Sequence, residues 1–358
     1  MTSVLRQDET AVLALRELYE KYGYKKYKMS KFENYDLYLE NKNFLSSERI
    51  VTFSASGGKL MALKPDITLS IIKNAPRNLS GAYKTYYNEN VYRSVDGSDD
   101  IKEIMQVGIE YIGNLDLYSE CEVLALASRS LRMISCDSII GISHMGIIAS
   151  ILSAAEFSDV ECEAIRCCIA DKNIHTLKEI CNKSGKTDVG EKLADLAMIY
   201  GPVDETMPRL REICADGECR EALEELEAVM SVLDIMGEKD TFTLDFSVSN
   251  DMDYYNGIIF QGFIDGIPRH VLSGGRYDGL VKKMGINADA VGFAVYPGLL
   301  ERLAASDKVD VDVLLVYGET DAKDVAAKVE EFEREGKKVC AVKEIGENIP
   351  TYREMVRL

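Results

Sequence analysis

Apolar positions at the start of the chain fall at helical spacing: Leu5, Val12, Leu15, Leu18, Tyr19 and Tyr22, with Gly23 where a C-terminal cap belongs. This predicts a first helix. The run "RIVTFSASGGKLMALKPDITLSIIKN" (Arg49 to Asn74) predicts two short strands turned at Gly57 and Gly58. Pro65 and Asp66 then open a helix that buries Ile67, Ile71 and Ile72. From Ala82 to Gly113 two strand-like runs flank a polar acidic stretch around Gly97, the pattern of a long antiparallel hairpin whose second strand passes through Val107, Ile109 and Tyr111. Helical periodicity follows at 117–134 and at 144–152.

Residues from about Ser158 to Lys239 change texture: they are charged and helix-forming, and "REALEELEAVMSVLDIMG" is the clearest amphipathic helix. Strand signals resume at Phe242–Val248, Gly257–Ile264, His270–Ser273 and Val291–Tyr296, with a helix expected in "GGRYDGLVKKMG". The tail, "VDVLLVYGETDAKDVAAKVEEFEREGKKVCAVKEI", has strand–helix–strand order and is too short for a full α/β domain.

With 358 residues and 46% apolar content, the chain can bury a large core. The amino terminus has no apolar signal region and no run is long enough to span a bilayer, which makes the cytoplasm the expected location. A net charge of −18 disfavours a phosphate backbone as partner, and the one basic cluster, Lys25 to Lys28, reads as a solvated turn. The nine cysteines show no CxxC pair and the three histidines lie far apart, so metal ligation and a Ser-His-Asp arrangement have little material. Reduced, mostly buried thiols are expected, and His144 reads as a packed histidine at a helix start.

Asp66, Glu110 and Asp253, with Thr68, Gln106, Tyr254 and Tyr255, offer acceptors and small donors suited to a cationic amine or an imidazole. Plainer roles stay open: Asp66 could satisfy a helix start, and Gln106 and the tyrosines could be ordinary strand residues. Glu110 is harder to explain so, because an unpaired carboxylate between Ile109 and Tyr111 costs several kcal/mol or shifts its pKa.

Five collinear pieces carry a family resemblance: "LKPDITLSI", "YYNENVYRS…IKEIMQVGIEYIG", "NDMDYYNGIIF", "SGGRYDGLV" and "AVGFAVYPGLLERL". Together they resemble the class II aminoacyl-tRNA synthetases, specifically the histidyl branch. The resemblance implies an α+β fold, an antiparallel sheet flanked by helices. It divides the chain into a core (1–157 and 240–306), a helical insertion (158–239) and a truncated α/β tail (307–358) resembling the start of an anticodon-binding domain. It also implies that Asp66, Thr68 and Gln106 hold the α-ammonium of histidine, that Glu110 and Tyr255 address its imidazole, and that Tyr254 and Tyr277 line the pocket. Arg93 matches the phosphate-facing arginine of the family.

The departures point one way. Asn250 stands where an active enzyme of the family carries an arginine, a loss of about 10²–10³ in rate by analogy with a transition-state donor. Val95 replaces the adenine-facing glutamate, and Asp96, Asp99 and Asp100 would oppose a triphosphate by about 1–3 kcal/mol each. "VYPG" displaces Glu301 and Arg302, and Lys102 replaces a loop arginine. A kept histidine pocket with eroded ATP and tRNA machinery resembles the regulatory subunits of ATP phosphoribosyltransferase. That likeness implies no catalytic residues, no cofactor and no nucleic-acid or membrane partner. It further implies free histidine as feedback ligand and a homodimer, paired through the 24–36 region, inside a hetero-octamer with the short-form catalytic subunit. The alternatives are an active divergent histidyl-tRNA synthetase and an amino-acid-binding paralogue with another partner.

Overall fold

The computed structural model describes residues 7–41, 50–77, 79, 81–94, 100–215, 217–248, 255–302, 309–346 and 349–358. The chain forms two compact units, Asp8–Leu300 and a smaller one containing Glu301–Leu358.

The larger unit opens with α1 (Gln7–Lys21), which ends at Gly23 with φ +80°, a left-handed turn that glycine adopts without steric cost. Two short strands, β1 (Lys25–Lys26) and β2 (Phe32–Asn34), and a short helix α2 (Asp36–Glu40) follow. Next come β3 (Thr52–Ser54) and β4 (Leu60–Leu63), an antiparallel pair whose turn uses Gly57 and Gly58 at φ +84° and +77°. Helix α3 (Thr68–Asn74) starts four residues after β4 and buries Ile71 and Ile72, with Ile67 buried just ahead of it. The hairpin is β5 (Tyr83–Ser94) against β6 (Ile101–Gly113), antiparallel from Tyr83↔Ile112 to Ser94↔Ile101. Helix α4 (Leu117–Ile134) is fixed at its start by a capping box between Asp116 and Ser119.

Beyond α4 lie β7 (Ser138–His144), α5 (Met145–Ala154), α6 (Asp159–Ala170), α7 (Ile174–Lys183), α8 (Thr187–Ala197), β8 (Tyr200–Pro202), α9 (Val203–Ile213) and α10 (Arg220–Ile235). The unit closes with β9 (Phe242–Asp245), β10 (Ile258–Ile264), β11 (Leu272–Arg276), α11 (Asp278–Lys283) and β12 (Asp289–Val295). Nine strands make one sheet in the order β1-β5-β6-β12-β11-β10-β7-β9-β8, antiparallel except for β1–β5 and β7–β9. This is the α+β architecture expected from the sequence.

The centre of the sheet is built on glycines because neighbouring backbone leaves no space for a Cβ. One added at Gly274 would lie 2.4 Å from the Gly292 carbonyl oxygen, and one at Gly108 would lie 2.1 Å from that of Phe293. Helix α4 packs across β7, β10 and β12. In the smaller unit, β13 (Val311–Val316), α12 (Ala322–Arg334), β14 (Val339–Val342) and β15 (Tyr352–Arg357) form a parallel sheet in the order β14-β13-β15. Val313, Leu315 and Phe332 make its core.

Three expectations need correction, and one strand was not expected. Lys25 and Lys26 form a strand parallel to β5 rather than a turn. Residues 138–144 are a strand that the sequence hid, because its buried end faces apolar neighbours on both sides and so lacks alternation. Gly274, Gly275 and Arg276 belong to β11, and the helix starts only at Asp278. The tail has a third strand, β15, whose exposed residues give no apolar alternation.

Gly274→Ala is expected to cost about 1–3 kcal/mol, as overpacking against backbone does. It should lower the urea midpoint with little change in the denaturant slope.

Candidate functional site

Glu110 sits in the middle of β6 between Thr85 on β5 and Gly292 on β12, and is 2% exposed. A Cβ at position 292 would lie 1.8 Å from Glu110 Oε2, so the glycine is the space this carboxyl occupies. Thr68, first residue of α3, donates its hydroxyl to Glu110 Oε1 at 2.7 Å. Tyr277, at the corner between β11 and α11, donates to Oε2 at 2.5 Å. Burial pushes the carboxyl up to about 8, with the nearby Asp66 charge acting the same way, against the opposing pull of the two hydroxyls. At neutral pH the shift favours the protonated form of Glu110.

Asp66 lies half-buried in the link from β4 to α3, where Oδ1 accepts from the Leu69 amide at 2.8 Å. This is the helix-start role open from the sequence. It does not remove Asp66 from the cluster: burial raises its pKa, while the Leu69 amide and the Arg93 charge lower it. Arg93, on β5, donates Nε to the Pro65 carbonyl at 2.9 Å and so holds the link that carries Asp66.

Gln106 lies on the same face of β6 as Glu110, 5% exposed, with Gly108 between them. The gap above Gly108 is taken by Tyr87, whose hydroxyl lies 2.5 Å from where a Cβ would be. Sequence reasoning missed Tyr87. The signal was its hairpin register, since Thr85, Tyr87 and Glu89 face Glu110, Gly108 and Gln106. Burial drives the Tyr87 phenol well up, and the charges of Glu110, Asp66, Tyr296 and Tyr255 push it further. Thr85 Oγ1, opposite Glu110, is buried with no hydrogen-bond partner among the described residues.

Tyr255 packs on the core that contains Tyr87 and Tyr277, its ring 2.6 Å from where a Cβ on Gly275 would sit. The structure thus gathers Asp66, Thr68, Gln106, Glu110, Tyr255 and Tyr277, with Arg93 behind them. Tyr254, Asp253, Asn250, Val95, Asp96, Asp99 and the side chains of Glu301 and Arg302 lie outside the described residues. Two clefts, one lined by Asn34, Asp36 and Arg77 and one by Ile139, Phe263 and Pro268, include none of the cluster.

His144 is the packed residue expected: it caps α5, accepts from the Gly146 amide through Nδ1 and meets Glu225 through Nε2 at 3.2 Å. None of the nine cysteines forms a disulfide, and five are buried. Among the described residues, no group of three potential metal ligands converges and no helix is long and apolar enough to cross a membrane.

A family model described as histidyl-tRNA synthetase matches residues 3–300. The ATP phosphoribosyltransferase regulatory subunit of Caldanaerobacter subterraneus is 31% identical over 286 residues, covering 78% of this chain and 74% of that protein. The corresponding subunit of Clostridium kluyveri is 29% identical over 337 residues, 90% of this chain and 85% of that protein. Among solved structures, an ATP phosphoribosyltransferase regulatory subunit/histidyl-tRNA synthetase from Bacillus halodurans superposes with TM-score 0.76 at 20% identity, over 100% of this chain and 96% of that one. At that identity the likeness speaks to the fold alone.

The raised Glu110 carboxyl has a sign that stability measurements can check. In the unfolded chain the group releases its proton near 4.5, whereas in the fold it does so near 8. Its contribution is therefore complete below about pH 4.5 and is lost as pH rises through 8, at no more than about 1.4 kcal/mol per pH unit. Urea unfolding of the wild type should show falling stability from pH 6 to 9, and Glu110→Gln should flatten that fall.

Proposed function

The chain belongs to the histidyl-tRNA synthetase family and, within it, to the ATP phosphoribosyltransferase regulatory subunits; from that premise we propose that it binds free histidine and regulates a short-form ATP phosphoribosyltransferase catalytic subunit in the first step of histidine biosynthesis. The observation that carries the reading is Glu110: a buried carboxyl held from both sides by hydroxyls, its pKa pushed up to about 8 by burial. Such a group suits an imidazole, which can take its proton and pair with the resulting carboxylate. Asp66 and Gln106 supply acceptors for the α-ammonium, and Tyr255 packs beside the ring. Partnership with the catalytic chain is supported by the names of the relatives. It is also supported by a likeness to the ATP phosphoribosyl transferase (HisG:HisZ) complex from Thermotoga maritima, TM-score 0.64 at 19% identity over 83% of this chain and 98% of that one.

The chain is non-catalytic and cytoplasmic in this reading, works as a homodimer within a hetero-oligomer, and needs no cofactor. Glu110 would have to stay neutral or gain a cation as partner, which favours a cationic ligand over a triphosphate, and Asn250 stands where the signature arginine would be. Regulation is linkage: histidine alters catalytic output only so far as it binds one state of the assembly better than another. The retained Arg93 favours a second reading, an active histidyl-tRNA synthetase, and ATP–pyrophosphate exchange dependent on histidine would reveal it.

Two experiments test the proposal. The chain should co-purify with a short-form catalytic subunit and raise its activity, with added histidine reversing the effect; no association would contradict the reading. Calorimetry with L-histidine in buffers of different ionisation enthalpy should show one proton released per site below about pH 6.5, none exchanged near pH 7, and one taken up above about pH 8. Glu110→Gln should weaken binding by about 2 kcal/mol and remove the proton uptake above pH 8.

A further inference from the structure

Three consecutive residues at the corner between β11 and α11 meet three different parts of the larger unit. Gly275 lies under the ring of Tyr255, and Tyr277 bonds Glu110. Between them, Arg276 turns away from the pocket into a cluster of charges. Its Nη1 meets Glu225 of α10 at 2.8 Å and lies 4.0 Å from Glu120 of α4, and its Nε donates to Asp278 at 2.8 Å. Glu225 also receives His144 from the start of α5.

The same arginine pins the segment that carries Tyr255. Gly257 has no room for a side chain, since a Cβ there would lie 2.9 Å from Arg276 Cδ, so the arginine stem runs directly over its backbone. The Asn256 amide donates to the Arg276 carbonyl at 2.9 Å. Asn256 Oδ1 accepts from the Asp278 amide at 2.9 Å, and Asp278 Oδ1 accepts from the Ala290 amide, also at 2.9 Å. Asp278 is therefore shared between Arg276, the Tyr255–Gly257 segment and β12.

The cluster holds more acid than base. Glu120, Glu225 and Asp278 surround a single arginine, and Glu120 Oε1 is buried with no hydrogen-bond partner among the described residues. Three carboxyls around one guanidinium leave its orientation tied to which of them it pairs with, and Glu225 is the only member that α10 supplies.

We propose that Arg276 is a positioning residue that couples the pocket to α10: its ion pair with Glu225 seats the Tyr255–Gly257 segment and the Tyr277 corner, so that histidine occupancy and the seating of α10 stabilise each other. The inference rests on the histidine-binding reading only for its ligand. The tether itself is a property of the empty protein. Because coupling of this kind is reciprocal, loosening α10 lowers histidine affinity by the same factor by which histidine tightens α10.

Hydrogen exchange on the full chain tests it, with Glu225→Gln as the variant and Glu224→Gln, on the exposed side of the same helix, as the control. Without ligand, Glu225→Gln should speed exchange of the Asn256 and Asp278 amides at least fivefold while the amides of the β5–β6 hairpin keep wild-type rates. The control should change neither. With L-histidine, wild-type α10 should gain protection, and Glu225→Gln should lose that gain and bind histidine about tenfold more weakly. Global destabilisation would speed every amide together and would not separate the hairpin from Asn256. Unchanged Asn256 and Asp278 exchange in Glu225→Gln overturns the tether whether or not histidine binds. Wild-type protein that takes up no histidine, with the ligand-free effect present, overturns the functional reading and leaves the tether standing. Histidine bound equally well by wild type and Glu225→Gln, with α10 protected in both, overturns the coupling.

Discussion

A carboxyl group placed in the middle of a nine-stranded sheet, with almost no water access, is the constraint on which the arrangement turns. Left alone it would cost several kcal/mol. Thr68 and Tyr277 reduce that cost by giving both oxygens a donor, and a raised pKa reduces it further by letting the group stay protonated. These requirements reach far along the chain. They fix where α3 begins, demand the β11–α11 corner, and exclude any side chain at Gly292. The elements that flank Glu110 come from both ends of the Asp8–Leu300 unit, so the site exists only when the sheet is complete.

Much of this was legible in the sequence. The glycine turn at 57–58, the hairpin and both ends of α4 follow from turn chemistry, alternation and helical spacing. Glu110 announced itself because a charged residue in an apolar strand has no cheap explanation. What stayed hidden was hidden for physical reasons. Strand β7 is buried where period two would otherwise show, and the glycines of β11 look like loop because their value lies in the backbone they leave room for. Tyr87 is one tyrosine among several until register sets it over Gly108. The Arg276 cluster joins α4, α10 and α11, whose approach no local pattern encodes.

The family membership and the geometry bear on different questions. Membership brings the regulatory partner into view, while the geometry describes a polar cluster whose protonation is set by burial. A regulatory subunit needs a pocket selective for one metabolite and a way to transmit its occupancy. In the proposed reading, a carboxyl that passes its proton to an imidazole would meet the first need, because lysine and arginine bring cations that cannot accept one, and small neutral amino acids bring no base. For the second, a pocket assembled from several elements is well suited, since the ligand bridges parts that can otherwise shift.

The central claim is that the empty site keeps Glu110 protonated and that histidine takes that proton. Difference infrared spectroscopy at pH 7, wild type against Glu110→Gln, measures it directly. In the wild-type minus Glu110→Gln spectrum the carbonyl stretch of one protonated carboxylic acid should be present without ligand, and it should be lost on addition of L-histidine with a carboxylate band in its place. A ligand-free spectrum without that band, or a band that histidine leaves unchanged, would contradict the account.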